Sequence, residues 1–290
     1  MKASRSIIRD VRGLRYHVRS WGDERHPKLF LLHGWMDVSA SFQFMVDALQ
    51  DNWHVLAPDW RGFGLSEWQK GGYYFADYLG DLELLLNYFS PSTPTTLIGH
   101  SMGGNIACLY AGIRPHRVKR LITLEGFGMG ELSPHLAPEH YAKWLSRLTE
   151  PPRFRAYPNF DALAKRLCEA NARLNKDRAL FLAHHSGKTL PSGEVTFNSD
   201  PTHKAISPIL YRLEEAKACW KKITAPVLWV AATESWIYKQ HMGDLEDYSS
   251  RKACFKQLEE VVMLDSGHMM HHDKPEELAG IVEGFLKKHG

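Results

Sequence analysis

Apolar residues along this chain fall into short runs, and their spacing switches repeatedly between strand-like and helix-like. From Ile7 to Trp21, the residues Ile7, Val11, Leu14, Tyr16 and Val18 alternate with polar ones around Gly13, which predicts an antiparallel hairpin at the edge of a larger sheet. Lys28 to Gly34 is a compact apolar run ended by glycine, as expected of a strand buried on both faces. Trp53–Pro58, Thr95–Gly99, Leu121–Glu125, Pro226–Ala232 and Val261–Leu264 have the same character. Helical spacing fills Phe42–Leu49, Tyr78–Phe89, Asn105–Ile113 and Glu276–Lys288 between or after them. Strands alternating with helices predict an α/β protein with a mostly parallel central sheet covered on both faces.

The alternation stops after Gly126, and no further buried strand is expected until Pro226. An inserted helical cap is the natural reading, with the body at 1–127 and 223–290 and the cap at 128–222. Within it Tyr141–Leu148, Phe160–Leu174 and Arg178–His185 have helical spacing, broken by Pro151, Pro152, Pro158 and Pro191. Trp144, Phe154, Tyr157, Phe160, Phe181 and Phe197 supply enough aromatic surface to roof an apolar pocket or to pack the cap onto the body.

Composition excludes several classes. With 44% hydrophobic and 24% charged residues the chain has the balance of a soluble globular protein, not a disordered or fibrous one. Its 36 basic residues are scattered against 33 acidic ones, so neither nucleic acid nor a membrane surface is an expected partner. No apolar run approaches the roughly 20 residues of a membrane span, the first residues lack the apolar core of a secretory signal, and a cytoplasmic location is expected. A monomer or homodimer acting on a small molecule is the expected state. Cys108, Cys168, Cys219 and Cys254 are irregularly spaced, which suits free thiols better than a disulfide framework or a metal site.

The chemistry concentrates at Gly99-His100-Ser101-Met102-Gly103, between a strand-like run and a helical one. A sharp strand-to-helix turn needs small residues around its tip and holds the serine side chain exposed. A serine hydroxyl is a weak nucleophile near neutral pH and requires a base within hydrogen-bond reach, usually histidine. Among 16 histidines, His268 stands out because Asp265-Ser266-Gly267-His268 lies between the last strand and the last helix. His271 and His272 read as loop residues. His268 and His272 stand four apart as in a helical zinc site, but HExxH is absent and no metal is expected.

A carboxylate should fix the imidazole tautomer, and two glutamates compete: Glu234 after the run ending at Ala232, and Glu125 after the run ending at Leu124. His33-Gly34-Trp35 follows the first buried strand, and the backbone N–H groups of Trp35 and Met102 are the candidate oxyanion hole. His33 is expected to be structural, and Asp59 to Ser66 to be turn scaffolding instead of a phosphate loop. Trp35, His100, Trp144 and Trp236 are the candidate substrate contacts.

Taken in order, His33-Gly34-Trp35, Asp59 to Ser66, Gly99 to Gly104 and Gly267-His268 resemble the α/β-hydrolase superfamily over almost the whole chain. His33-Gly34-Trp35-Met36-Asp37 with Ser39 to Phe42, and Asp200-Pro201 to Ser207-Pro208 with Arg212-Leu213, are similar to its serine hydrolase-like branch. The resemblance implies the α/β-hydrolase fold and favours Glu234 as the acid, since such hydrolases most often place it after that strand. One departure is Ala231-Ala232-Thr233-Glu234, where relatives usually carry Gly followed by Asp. Serine at 101, where haloalkane dehalogenases and epoxide hydrolases use aspartate, implies an acyl-enzyme route that needs no metal or organic cofactor. A carboxylic ester of a small to medium apolar acid is the expected substrate. The alternatives are carbon–carbon bond hydrolysis of a diketone by the same triad and a non-catalytic binding protein on this fold.

Overall fold

The computed structural model describes residues 1–290. Its main sheet begins with an antiparallel hairpin, β1 (Ser4–Val11) and β2 (Leu14–Trp21), turned by Arg12 and Gly13, both at positive φ. Then follow β3 (Lys28–Leu32), α1 (Gln43–Ala48), β4 (His54–Pro58), α2 (Phe75–Phe89), β5 (Thr95–His100), α3 (Met102–Ile113) and β6 (Val118–Leu124). Next come α4 (Ala137–Thr149), α5 (Phe160–Ala170), α6 (Lys176–Ser186), the hairpin β7 (Gly187–Thr189) and β8 (Val195–Phe197), and α7 (Leu213–Trp220). The chain closes with β9 (Val227–Ala232), α8 (Trp236–Met242), α9 (Leu245–Lys252), β10 (Leu258–Met263), α10 (Met270–Asp273) and α11 (Pro275–Lys288).

The sheet order is β1-β2-β4-β3-β5-β6-β9-β10, and from β4 onward every neighbouring pair is parallel. Alternation along each strand decides which layer a side chain feeds. Phe30 and Leu32 of β3, with Trp229 and Ala231 of β9, enter the core beneath α2, α3 and α7. Leu29 and Leu31, with Leu228 and Val230, enter the opposite core beneath α1 and α11. Strands buried on both faces are therefore continuous apolar runs, which is why periodicity finds them so readily. After β3 the chain winds outward to β4 and then returns to the other side of β3 as β5. That reversal opens a crevice at the carboxyl ends of β3 and β5, where ligands bind in open α/β sheets.

The stretch between β6 and β9 is helical, with a small hairpin that its pattern did not reveal. Leu163, Ala164, Leu174, Leu182 and Ala183 form a separate core with Phe44 of α1, so α5 and α6 are held to the body. Helix α7 is different: Leu213, Ala216 and Trp220 join the main core against α3, so this part of 128–222 belongs with the body. Helix α4 buries no residue. All four cysteines are unpaired, and no helix is long and apolar enough to cross a membrane.

Two buried histidines are expected to make the fold acid-sensitive. His203 is stacked between Phe63 and Tyr73, with ring centroids 3.8 and 3.7 Å away, and burial pushes it down to about 3. His241 is pushed down to about 4 by burial and by Arg251. In the unfolded chain both titrate near 6.5, so below that pH the unfolded state binds more protons. Their stabilisation is complete above about pH 6.5 and declines toward pH 3–4, by at most about 1.4 kcal/mol per histidine per pH unit. The melting temperature should drop between pH 6.5 and 5, and a smaller drop is expected in His241→Phe. A wild-type melting temperature constant over that range contradicts the assignment.

Candidate active site

Ser101 lies between β5 and α3 with φ 51° and ψ −116°, a conformation that non-glycine residues rarely hold without support from their surroundings. The neighbouring glycines make that support possible. A Cβ on Gly103 would run into the backbone of Leu32, and one on Gly99 into the backbone of Gly103. The Ser101 N–H donates to the Leu124 carbonyl at 2.8 Å, which ties the turn to the end of β6. Helix α3 begins directly after the serine, so its unpaired N–H groups and positive dipole end face the reacting centre.

Gly34 follows β3 and brings the next loop against this turn. A Cβ built on it would lie 3.2 Å from Ser101 Cβ and 2.9 Å from His100 Nδ1. The backbone N–H of Trp35 belongs to the loop that Gly34 brings against Ser101, and that of Met102 opens α3 directly after the serine. The His33 ring is fixed away from Ser101: Nδ1 donates to the Gly34 carbonyl at 2.7 Å, and Nε2 accepts from the Trp60 N–H at 2.9 Å. Asp59 accepts from the Ser39 and Leu65 N–H groups at 2.6 and 2.9 Å, and Ser66 Oγ donates to the Asp59 carbonyl at 2.6 Å. Asp59 to Ser66 thus closes on itself as a turn.

The two glutamates end in different places. Glu125 is 1% exposed, at φ 53° directly after β6, and its Oε2 accepts from His268 Nδ1 at 2.7 Å. Its carboxylate also accepts from the Ala232 N–H at 3.1 Å and from the Ser235 hydroxyl. Glu234 is corrected by the same geometry: its side chain points to solvent and pairs with Lys239 Nζ at 2.8 Å. Its backbone explains why. The Glu234 N–H is committed to the Ser266 carbonyl at 2.9 Å, and the following residue, Ser235, turns inward to meet Glu125.

His268 is held from a second side, because His100 Nε2 donates to its carbonyl at 2.8 Å. Burial, reinforced by His271 and His268, pushes the His100 imidazole well below its ordinary value, so it is neutral. With 1% exposure it is buried and is not among the residues lining the apolar hollow described next, which corrects its place among the substrate contacts.

Trp35 does border a cavity, a hollow of about 470 Å³ whose 22 lining residues include 17 hydrophobic ones. Phe75 and Leu79 from α2, Met102, Leu109 and Ile113 from α3, and Tyr211 form its walls. Trp35 Nε1 donates to the His203 carbonyl at 3.2 Å, linking the rim to the stretch before α7. Trp144 is not in this wall; it faces a smaller recess of about 220 Å³ with Leu148. Trp236 borders a third hollow of about 410 Å³ and stands 6.0 Å, ring to ring, from His268. Phe160, Phe181 and Phe197 pack within the insertion or against Phe44, and contribute nothing to the apolar hollow. Tyr73, Tyr74, Phe75 and Ala76, which do line it, precede the helical run expected from Tyr78 and carried no signal in the sequence.

A family model described as alpha/beta hydrolase fold matches residues 27–275. The chain is 23% identical over 283 residues to a serine hydrolase-like protein of Danio rerio, covering 92% of this chain and 83% of that one. It is 24% identical over 292 residues to a Homo sapiens protein named serine hydrolase-like protein 2, with 93% and 90% covered. A solved thioesterase domain from the curacin biosynthetic pathway is 24% identical and has the same fold, with a TM-score of 0.87 over 97% of this chain and 99% of that one.

Proposed function

Because the chain belongs to the α/β-hydrolase fold family, we propose that it is a serine hydrolase whose nucleophile, base and acid are Ser101, His268 and Glu125. The observation that carries this reading is the 2.7 Å hydrogen bond from His268 Nδ1 to a buried Glu125 carboxylate. It fixes the proton on Nδ1 and leaves Nε2 bare to take the proton of Ser101 Oγ. The alkoxide attacks a carbonyl carbon, and the resulting oxyanion accepts from the Trp35 and Met102 N–H groups. His268 then protonates the leaving group, an acyl-enzyme forms on Ser101, and water activated by His268 releases the acid.

The apolar hollow beside Trp35 and Met102 favours an acyl chain of small to medium length as the part of the substrate it holds. Its volume falls within the roughly 300–1,000 Å³ typical of small-molecule sites. Oxygen esters and thioesters are both candidates, since a relative in fold is a thioesterase domain. Wild-type protein should be labelled by a fluorophosphonate and should hydrolyse p-nitrophenyl esters. Each added methylene buries about 0.8 kcal/mol, so kcat/KM should rise about fourfold per methylene until the hollow is filled. Leu109→Trp, which narrows the wall, should move the optimum to a shorter chain. Absence of both labelling and turnover in folded protein sinks the proposal and leaves a non-catalytic binding protein.

A further inference from the structure

Behind the reacting groups lies a buried cluster that the proposed reaction leaves idle: Asp37, His100 and His271, which are 8%, 1% and 0% exposed. One ligand nitrogen from each imidazole and a carboxylate oxygen lie within 4.8 Å of one another. The hydrogen bonds around them determine both tautomers. His100 Nε2 faces the His268 carbonyl at 2.8 Å and must carry the proton, so Nδ1 holds a bare lone pair. Ser41 Oγ gives its only proton to Asp37 Oδ2 at 2.7 Å, so it accepts from both His271 Nε2 at 2.9 Å and His272 Nε2 at 2.5 Å. His271 Nδ1 is therefore bare as well. Both Nδ1 atoms are buried without a hydrogen-bond partner in the protein.

A buried polar atom without a partner costs about 1–3 kcal/mol, and here there are two within a cluster that also holds a buried carboxylate. One water can donate to both nitrogens, whereas a cation binds both of them and the carboxylate together. We propose that Asp37, His100 and His271 form a binding site for one divalent transition-metal ion, Zn²⁺ foremost. Two imidazoles and one carboxylate are a donor set that Zn²⁺ accepts, with a water completing four-coordination. With bonds of about 2.1 Å the donors must draw in by about 1 Å to make a tetrahedron, a movement within reach of side-chain rotation. Binding requires bare imidazole nitrogens and an ionised carboxylate.

The ion would report to the base through a short path. His100 would bind it through Nδ1 and hold the His268 carbonyl through Nε2. Drawing His100 toward the ion pulls on the loop that carries His268, so occupancy lowers turnover without competing with ester. That consequence rests on the proposed role of His268; the site itself does not.

The test is titration of chelator-treated full-length protein with Zn²⁺, read by calorimetry, melting temperature and ester turnover. Wild type should bind one equivalent, melt at a higher temperature with Zn²⁺, and lose activity that a chelator restores. His271→Gln and Asp37→Asn, each verified as folded by circular dichroism, should bind at least tenfold more weakly. His268→Ala should bind as wild type does, because the ion does not sit on the catalytic base. Failure of the wild type to bind saturably, equal binding by either cluster variant, or loss of binding in His268→Ala overturns the site. Unchanged turnover in zinc-bound wild type that still hydrolyses esters overturns the link to His268. Zinc binding by a protein that hydrolyses no ester leaves the site standing and removes the hydrolase.

Discussion

Ser101→Ala should lower kcat on the best ester by about 10⁶-fold, the scale seen when a nucleophile that acts as one unit with its base is removed. Fluorophosphonate labelling disappears with it. The same position tests the strained turn independently of chemistry. Ser101 sits at φ 51°, which glycine adopts at little cost and other residues adopt only under constraint. Ser101→Gly should therefore be as inactive as the alanine variant yet melt at a higher temperature, by the equivalent of about 1 kcal/mol. An inactive variant that also unfolds tells nothing about catalysis, so the two readouts belong together. Retained turnover in folded Ser101→Ala removes the acyl-enzyme.

Glu125→Gln should lower kcat by about 10³- to 10⁴-fold, as expected when the carboxylate that fixes the imidazole tautomer becomes an amide. The amide can present its NH₂ to His268 Nδ1, which then accepts, puts the proton on Nε2 and blocks the base. Glu234→Gln should stay within about twofold of wild type, because an exposed ion pair is worth at most about 1 kcal/mol and Glu234 pairs only with Lys239. Melting curves of both variants separate folding from catalysis, since Glu125 also holds Ser235 and the Ala232 N–H. Equal losses in the two variants, or a larger one at Glu234, would return the acid to the loop after β9.

Much of this fold was legible because of how its strands are buried. Lys28–Leu32, Thr95–His100 and Val227–Ala232 are covered on both faces, so they stand out as unbroken apolar runs. Strand β10 was read short, from Val261, because it is the sheet edge and its first residues include Glu259 and Glu260. Helices α8 and α9 were missed: α8 buries only His241, and α9 only Tyr248 and Arg251, which is too little for an apolar stripe. The insertion's hairpin was missed for a similar reason, since strands of three residues carry too few alternations to register.

The sequence by itself determined the α/β class, the serine turn and the histidine loop, because each is a local requirement. A buried strand needs an apolar run, a tight elbow needs glycines, and a base needs a loop at the sheet's carboxyl edge. Tertiary structure alone decided which glutamate meets His268, which aromatic residues line the apolar hollow, and that Asp37, His100 and His271 converge. Those outcomes depend on which strands are neighbours and which way each loop turns. Glu125 and Glu234 both follow strand ends in the same chain order, and only the inward turn of Ser235 and the 2.7 Å approach of His268 to Glu125 distinguish them.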